Sequence, residues 1–396
     1  MPSTRHHLAD AHRIVVKLGT HVVTHDGIEL ALGRLMGLVE SMARMRKGGR
    51  EVILVSSGAV GMGMRVLGLK ERPRSLGLRQ ACAAVGQGHL IALYTQAFAQ
   101  FGLTAAQVLL TQEDLGDRDR ALCLRTTLMR LLELGVVPVL NENDSVSIRE
   151  LVEYQRQQEA SEPPPSPPSP VFGDNDGLSA RVAVALGADL LVLLTNVAGL
   201  FTANPKIDPT ATRIPELEAI DDAALARTGG GSAGGSGGME SKLEAARFAA
   251  TEGVTVLIAG GAEPQVLERA MTGEDLGTLI AAVERRPARL RRIAVSGKQR
   301  GALVVNEGAL RALVGKKASL LPIGVVSVEG DFDKGDLVEI RDGSGRVHGR
   351  GLVNYPADAC RQLAGRRSDE IDAILGQGMR GYDALVTRDN LVMGAL

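Results

Sequence analysis

The chain has 396 residues, 44% of them hydrophobic, which is enough for two domains that each bury a core. A formal net charge of -1 leaves no global electrostatic case for nucleic acid or a membrane surface. Cys82, Cys123 and Cys360 lack paired spacing and are read as core packing, Met1–Ala11 is polar, and no apolar run of about 18 residues occurs, so a cytoplasmic protein without disulfides, zinc or a membrane span is expected.

Arg13–Leu18 is a short β-branched strand in which Lys17 precedes Gly19 and Thr20. A lysine and a glycine at a strand's end suit an anion, although a surface lysine beside a turn glycine has the same pattern. Leu30–Lys47 carries Leu32, Leu35, Leu38, Val39 and Met42 at helical spacing and is stopped by Gly48–Gly49. Glu51–Val55 is a second strand. Ser56, Ser57 and Gly58 then lead into a helix at Ala59–Leu67, a geometry that aims backbone N–H groups at an anion, with Ser57 equally suited to a plain N-cap. Gly77–Phe101 and Arg118–Leu134 read as helices, Ala105–Leu110 and Val136–Leu140 as strands. This alternation predicts an open, mostly parallel sheet sandwiched by helices, with ligands beyond the carboxyl ends of the strands.

Asn141, Glu142, Asn143 and Asp144 follow the fourth strand at the place where such sheets hold their sites. The pattern then breaks: Glu150–Glu162 is polar and charged, and Pro163–Pro170 can only be extended or disordered, so this stretch reads as a surface excursion. It returns at Phe172–Ala180, FGDNDGLSA, where Asp174, Asn175 and Asp176 crowd one turn ahead of the helix Leu178–Leu186. Capping accounts for one of the three, which leaves two for a site. Leu190–Thr195 is a continuous apolar run typical of a central strand. The glycine-rich Thr228–Gly238 has the composition of a flexible linker, but a helix with Lys242 in its first turn follows at once. A cation is disfavoured there unless it meets an anion such as phosphate. The spacing is not that of a Walker A loop. Val254–Ala259 is read as the strand that closes the sheet, and the basic Glu284–Arg292 as a connector. Beyond it, short strands at Ile293–Val295, Leu303–Val305, Val325–Val328, Leu337–Ile340 and Val347–Val353, with helices at Glu307–Val314 and Ser368–Leu375, predict a small β-barrel.

Two lysines, glycine-lined helix starts and clustered carboxylates and amides at strand ends describe a phosphoryl-transfer site without a general base. An acceptor that is itself a carboxylate needs none, since it is ionised at neutral pH with a pKa of about 4.

The segments VVKLGT, VSSGAVGMG, AAVGQ, VVPVLNEND, FGDND, LLTNVAGLFTANP and SGGMESK stand in the order found in the bacterial glutamate 5-kinases, which the chain resembles over almost its entire length. That family lies within the amino-acid kinase superfamily. The resemblance implies an amino-acid kinase domain over 1–284 with a Pro-rich insertion at about 153–170, a linker at 285–292 and a PUA-like domain over 293–396. It implies ATP-dependent phosphorylation of the γ-carboxylate of L-glutamate in proline biosynthesis, with Mg2+ held by the nucleotide phosphates and no protein metal ligands. By motif, Lys17, Asp176 and Lys242 are catalytic, Asp176 holding the two lysines. Ser57, Asn141, Asn143, Asp144 and Asn175 bind glutamate, Asp144 accepting from its ammonium while Asn175 and Ser57 donate to its carboxylates. Lys17, Thr195, Asn196, Ser236, Gly237, Gly238, Met239, Glu240, Ser241 and Lys242 bind ATP. Proline as a feedback inhibitor and a homo-oligomer, dimer or tetramer, are further implications. The chain departs from the family pattern at Asn196, where Asp is expected, in the glycine content of Gly229–Gly238, and in the insertion within Ser145–Phe172. A relative acting on another carboxylate, such as N-acetylglutamate or aspartate, is the alternative enzyme. RNA binding through the PUA-like tail is the alternative of another class, disfavoured because Phe332, Tyr355 and Tyr382 are its whole aromatic complement.

Overall fold

The computed structural model describes residues 4–25, 29–71, 73, 75–145, 175–205, 207–220, 238–283, 300–316, 318–376 and 382–394. Phe172–Asp174, the insertion at 153–170, Ser236, Gly237, the connector 285–292 and the expected strand Ile293–Val295 lie outside the described residues. The chain divides into two compact units, one mainly from residues before 286 and one mainly from residues 286–396.

In the first unit the strands are β1 (Arg13–Leu18), β2 (Thr24–His25), β3 (Glu29–Leu30), β4 (Glu51–Ser56), β5 (Ala105–Leu110), β6 (Val137–Glu142), β7 (Leu190–Thr195), β8 (Glu216–Leu217), β9 (Thr255–Gly260) and β10 (Thr278–Ile280). The helices are α1 (Thr20–Val23), α2 (Leu32–Lys47), α3 (Ala59–Val66), α4 (Leu76–Gln100), α5 (Gln112–Gly116), α6 (Arg118–Glu133), α7 (Asn175–Leu186), α8 (Met239–Thr251) and α9 (Val266–Met271). Strands pair in the order β5-β6-β4-β1-β7-β9-β10-β8, and every pair from β5 to β9 is parallel. β1 and β7 sit in the middle, and all six residues of β7 are buried, as an uninterrupted apolar strand covered on both faces requires.

The sheet does not end at β9: β10 lies antiparallel to it, with β8 outside. Strands of three and two residues are too short for a period to show. The polar first segment is also built in. Residues Thr4–Asp10 form a 3-10 helix whose Arg5, 3% exposed, donates to the carbonyls of Pro215 at 2.6 Å and Leu276 at 2.7 Å, tying down the β10 edge. At the amino end of the sheet, the N–H groups of His12 and Arg13 both donate to Asp189 Oδ2, at 3.0 and 2.8 Å. The carboxyl end is left for chemistry.

Leu35, Leu38, Val39 and Met42 of α2 join the core, whereas Leu32, at its first residue, is half exposed. α3 and α4 touch backbone to backbone. A Cβ on Gly86 would lie 1.8 Å from the Ala59 carbonyl oxygen, and one on Gly63 1.8 Å from that of Cys82, so only glycine permits the crossing. Of the cysteines, Cys82 and Cys360 are buried, but Cys123 is exposed, on the solvent side of α6.

The second unit pairs β11 (Gly301–Val305), β12 (Val325–Gly330), β13 (Leu337–Arg341), β14 (Val347–Leu352) and β15 (Leu391–Met393) in the order β12-β11-β13-β14-β15. β11 and β13 are parallel and the other pairs antiparallel. Its helices are α10 (Glu307–Lys316), α11 (Ala357–Leu363) and α12 (Ile371–Leu375), the last preceded by a 3-10 turn at Ser368–Glu370. Phe332 and Tyr355 are core residues, which leaves Tyr382 as the exposed aromatic of the three.

Candidate active site

The candidate residues gather at the carboxyl ends of neighbouring strands. Lys17 is the penultimate residue of β1, where Leu18 pairs with Ser56 of β4 on one side and Leu194 of β7 on the other. Asn141 is the fifth residue of β6; the strand continues through it to Glu142 rather than stopping at Leu140. With strands about 4.8 Å apart, Asn141 on β6 and Thr195 at the end of β7 stand some three strands, about 14 Å, from each other.

The centre of that span is Asp176. It is 0% exposed, and its two oxygens hold Lys17 Nζ at 2.5 Å and Lys242 Nζ at 3.0 Å. The three groups arrive on β1, α7 and α8, elements far apart in sequence. Burying an ion costs several kcal/mol unless a partner compensates. Here one carboxylate bridges two ammonium groups and brings them together at a nearly dry spot. Two converging ammonium groups suit an anion, and the Asp176 carboxylate is a partner that accounts for Lys242 in the first turns of a helix.

Asp176 reaches this place because Asn175 and Asp176 are the first two residues of α7, not a loop ahead of it. Ser241, on α8, donates to the carbonyl of Gly238 at 3.1 Å and lies 3.3 Å from Asp176 Oδ2. Gly238 is the N-cap of α8, with Met239 half-buried and Glu240 exposed beside it. Thr195 is buried and its hydroxyl lies 3.3 Å from Asn196 Oδ1, while Asn196 is exposed.

On the other side of Lys17 lies an amide cluster. The Asn175 amide nitrogen donates to Asn141 Oδ1 at 2.9 Å, Ser57 Oγ at 2.9 Å and the Ser56 carbonyl at 3.1 Å. Both hydrogens of the Asn175 side-chain amide are therefore engaged within the cluster, instead of facing a substrate carboxylate as expected of this side chain. Nor does Ser57 cap α3: the N-cap is Gly58, held in the left-handed region at φ 106, where a side chain would be strained. Asn143 and Asp144 are half-buried in the turn after β6, and the Asn143 N–H donates to the Leu110 carbonyl at 3.0 Å.

Three further residues complete the cluster. Gln87 Oε1 accepts from Asn141 Nδ2 at 2.7 Å, and Ser56 Oγ lies 2.7 Å from the Tyr94 hydroxyl. Burial pushes the Tyr94 phenol well above its ordinary pKa, so it stays neutral. Gln87 ends the AAVGQ segment, and that motif was the one available signal for it. Among the described residues no group of three His, Cys, Asp or Glu side chains is placed to hold a metal ion, and Asp176 is already taken by two lysines.

Residues 12–260 match the model of the amino acid kinase family, and residues 301–375 match that of the PUA domain. A glutamate 5-kinase of Moorella thermoacetica is 44% identical over 388 residues, covering 98% of this chain and 97% of that protein. Another, of Gloeobacter violaceus, is 46% identical over 383 residues, covering 96% and 98%. A third, of Thermus thermophilus, is 44% identical over 386 residues, covering 97% of each. With a buried lysine pair on one carboxylate at the carboxyl edge of its sheet, and relatives that match it from end to end, the chain belongs to the amino acid kinase family, among its PUA-bearing glutamate 5-kinases.

Proposed function

We propose that the chain transfers the γ-phosphoryl group of ATP to the γ-carboxylate of L-glutamate, giving L-glutamyl 5-phosphate for proline biosynthesis. The observation that carries this reading is the Lys17–Asp176–Lys242 group, placed between the amide cluster and the start of α8. A carboxylate oxygen of glutamate bonds to the γ-phosphorus as the bond to the β,γ-bridging oxygen breaks, and ADP leaves with that electron pair. No proton has to be removed, so the transfer needs no positioned base. Lys17 and Lys242 meet the negative charge on the moving phosphoryl group. Asp176 keeps both ammonium groups in place before ATP arrives, so little reorganisation remains for the transition state. Thr195, Asn196 and the segment Ser236–Lys242 take the nucleotide; Ser57, Asn141, Asn143, Asp144 and Asn175 take glutamate. Magnesium enters with ATP, held by phosphate oxygens and water.

Proline shares the ammonium and α-carboxylate of glutamate, so feedback inhibition at the glutamate end belongs to the same reading, as do a cytoplasmic location and a homo-oligomer. ADP release followed with ATP, Mg2+ and either glutamate, aspartate or N-acetylglutamate tests the core of it. Turnover that depends on glutamate is expected. Turnover with one of the other acids and none with glutamate overturns it.

A further inference from the structure

The amide cluster has a direction set by the main chain. The N–H of Glu142 donates to Asn141 Oδ1 at 2.9 Å, so an oxygen must stand there, because two donors cannot pair. Asn141 Nδ2 then has to face Gln87, and Gln87 must answer with its oxygen, at 2.7 Å. The next link is fixed in the same way. Asn175 Nδ2 faces Asn141 Oδ1 and the Ser56 carbonyl, both of which only accept. What remains is Asn175 Oδ1, which is buried and has no hydrogen-bond partner among the described residues. A buried carbonyl without a donor is costly, and such groups are rare unless something else supplies one. Of the groups on glutamate, only the ammonium donates.

We infer that Gln87 is a positioning residue for the amino-acid substrate. By accepting from Asn141 Nδ2 it holds Asn141 against Asn175, whose polarity, fixed by the Glu142 N–H and the Ser56 carbonyl, offers its carbonyl oxygen to the substrate's ammonium. Gln87 reaches this place because Gly86, one residue before it, lets α4 press against α3. The inference rests on the glutamate reading and adds to it a requirement for the free amine.

Steady-state kinetics of the full chain carrying Gln87→Met or Gln87→Glu test it, with glutarate, which is glutamate without the ammonium, as a second ligand. Gln87→Met removes the acceptor at nearly constant shape. It should raise KM for glutamate about tenfold, the usual scale for one buried hydrogen bond, and leave kcat and KM for ATP within about twofold. Gln87→Glu still accepts and should stay within about twofold of the unmodified chain for glutamate. Inhibition by glutarate should not move in either variant. A packing role predicts the reverse order, with Met tolerated and Glu damaging, and that result overturns the inference, as does an equal change for glutamate and glutarate. Equal binding of the two ligands to the unmodified chain overturns it with no variant at all. Failure of the unmodified chain to turn over ATP with glutamate would instead remove the function on which it rests.

Discussion

Asp176→Asn tests the centre of the site most directly. The replacement keeps the shape of the side chain and removes its charge, leaving Lys17 and Lys242, both nearly buried, to face a neutral amide. Removing one partner of a buried ion pair typically costs about 3–5 kcal/mol, and here one carboxylate serves two cations, so the upper part of that range is expected. Set against a usual total of about 5–15 kcal/mol, such a loss shifts the unfolding midpoint far enough to measure in urea. One lysine can relieve the strain by giving up its proton, which limits the loss but also removes charge needed for the reaction. Turnover should fall by about 10²–10³, the scale of one lost electrostatic contact to a transition state. ATP distinguishes this account from a general packing defect. Its phosphates supply the missing negative charge, so saturating ATP should raise the midpoint of the variant more than that of the unmodified chain. The urea midpoint is therefore measured with and without nucleotide. An unchanged midpoint without ATP, or the same gain from ATP in both proteins, would refute the assignment of Asp176 as the counter-charge of the two lysines.

Lys17→Ala and Lys242→Ala should each lower kcat by about 10²–10³ while changing KM for glutamate little, since their charge is wanted where the transferring group concentrates its own; initial rates across a grid of both substrates measure this. Asp144→Asn should raise KM for glutamate and weaken inhibition by proline, with KM for ATP nearly constant. Asp144 is half-buried, so about 1–3 kcal/mol, roughly 5- to 150-fold, is the expected scale. Gly86→Ala places a Cβ 1.8 Å from a backbone oxygen of α3 that cannot rotate away, so α3 and α4 must separate. Overpacking of this kind costs about 1–3 kcal/mol, occasionally more, and thermal unfolding reads it.

What could be read in the sequence followed physical visibility. Leu190–Thr195 announces a central strand because six buried residues in a row leave no other comfortable place. Lys242 stood out because a cation in the first turn of a helix opposes the dipole, and Asp176 is the partner that resolves the conflict. β8 and β10 were hidden by their length, and Arg5 because, apart from the exposed Asp275 carboxylate, it donates to carbonyls, which carry no residue identity. Asn175 shows the limit most sharply. Its presence in FGDND marks it as a site residue, but an amide can donate or accept, and which it does depends on the backbone N–H of Glu142 and the backbone carbonyl of Ser56, both far away in the sequence. Charge is a property of a residue, so Lys17, Asp176 and Lys242 could be given signs in advance. The polarity of an amide is a property of its neighbours. On the inference drawn for Asn175, a substrate that carries both an ammonium and carboxylates is told apart from a dicarboxylic acid by this second kind of information as well as by the charge of Asp144.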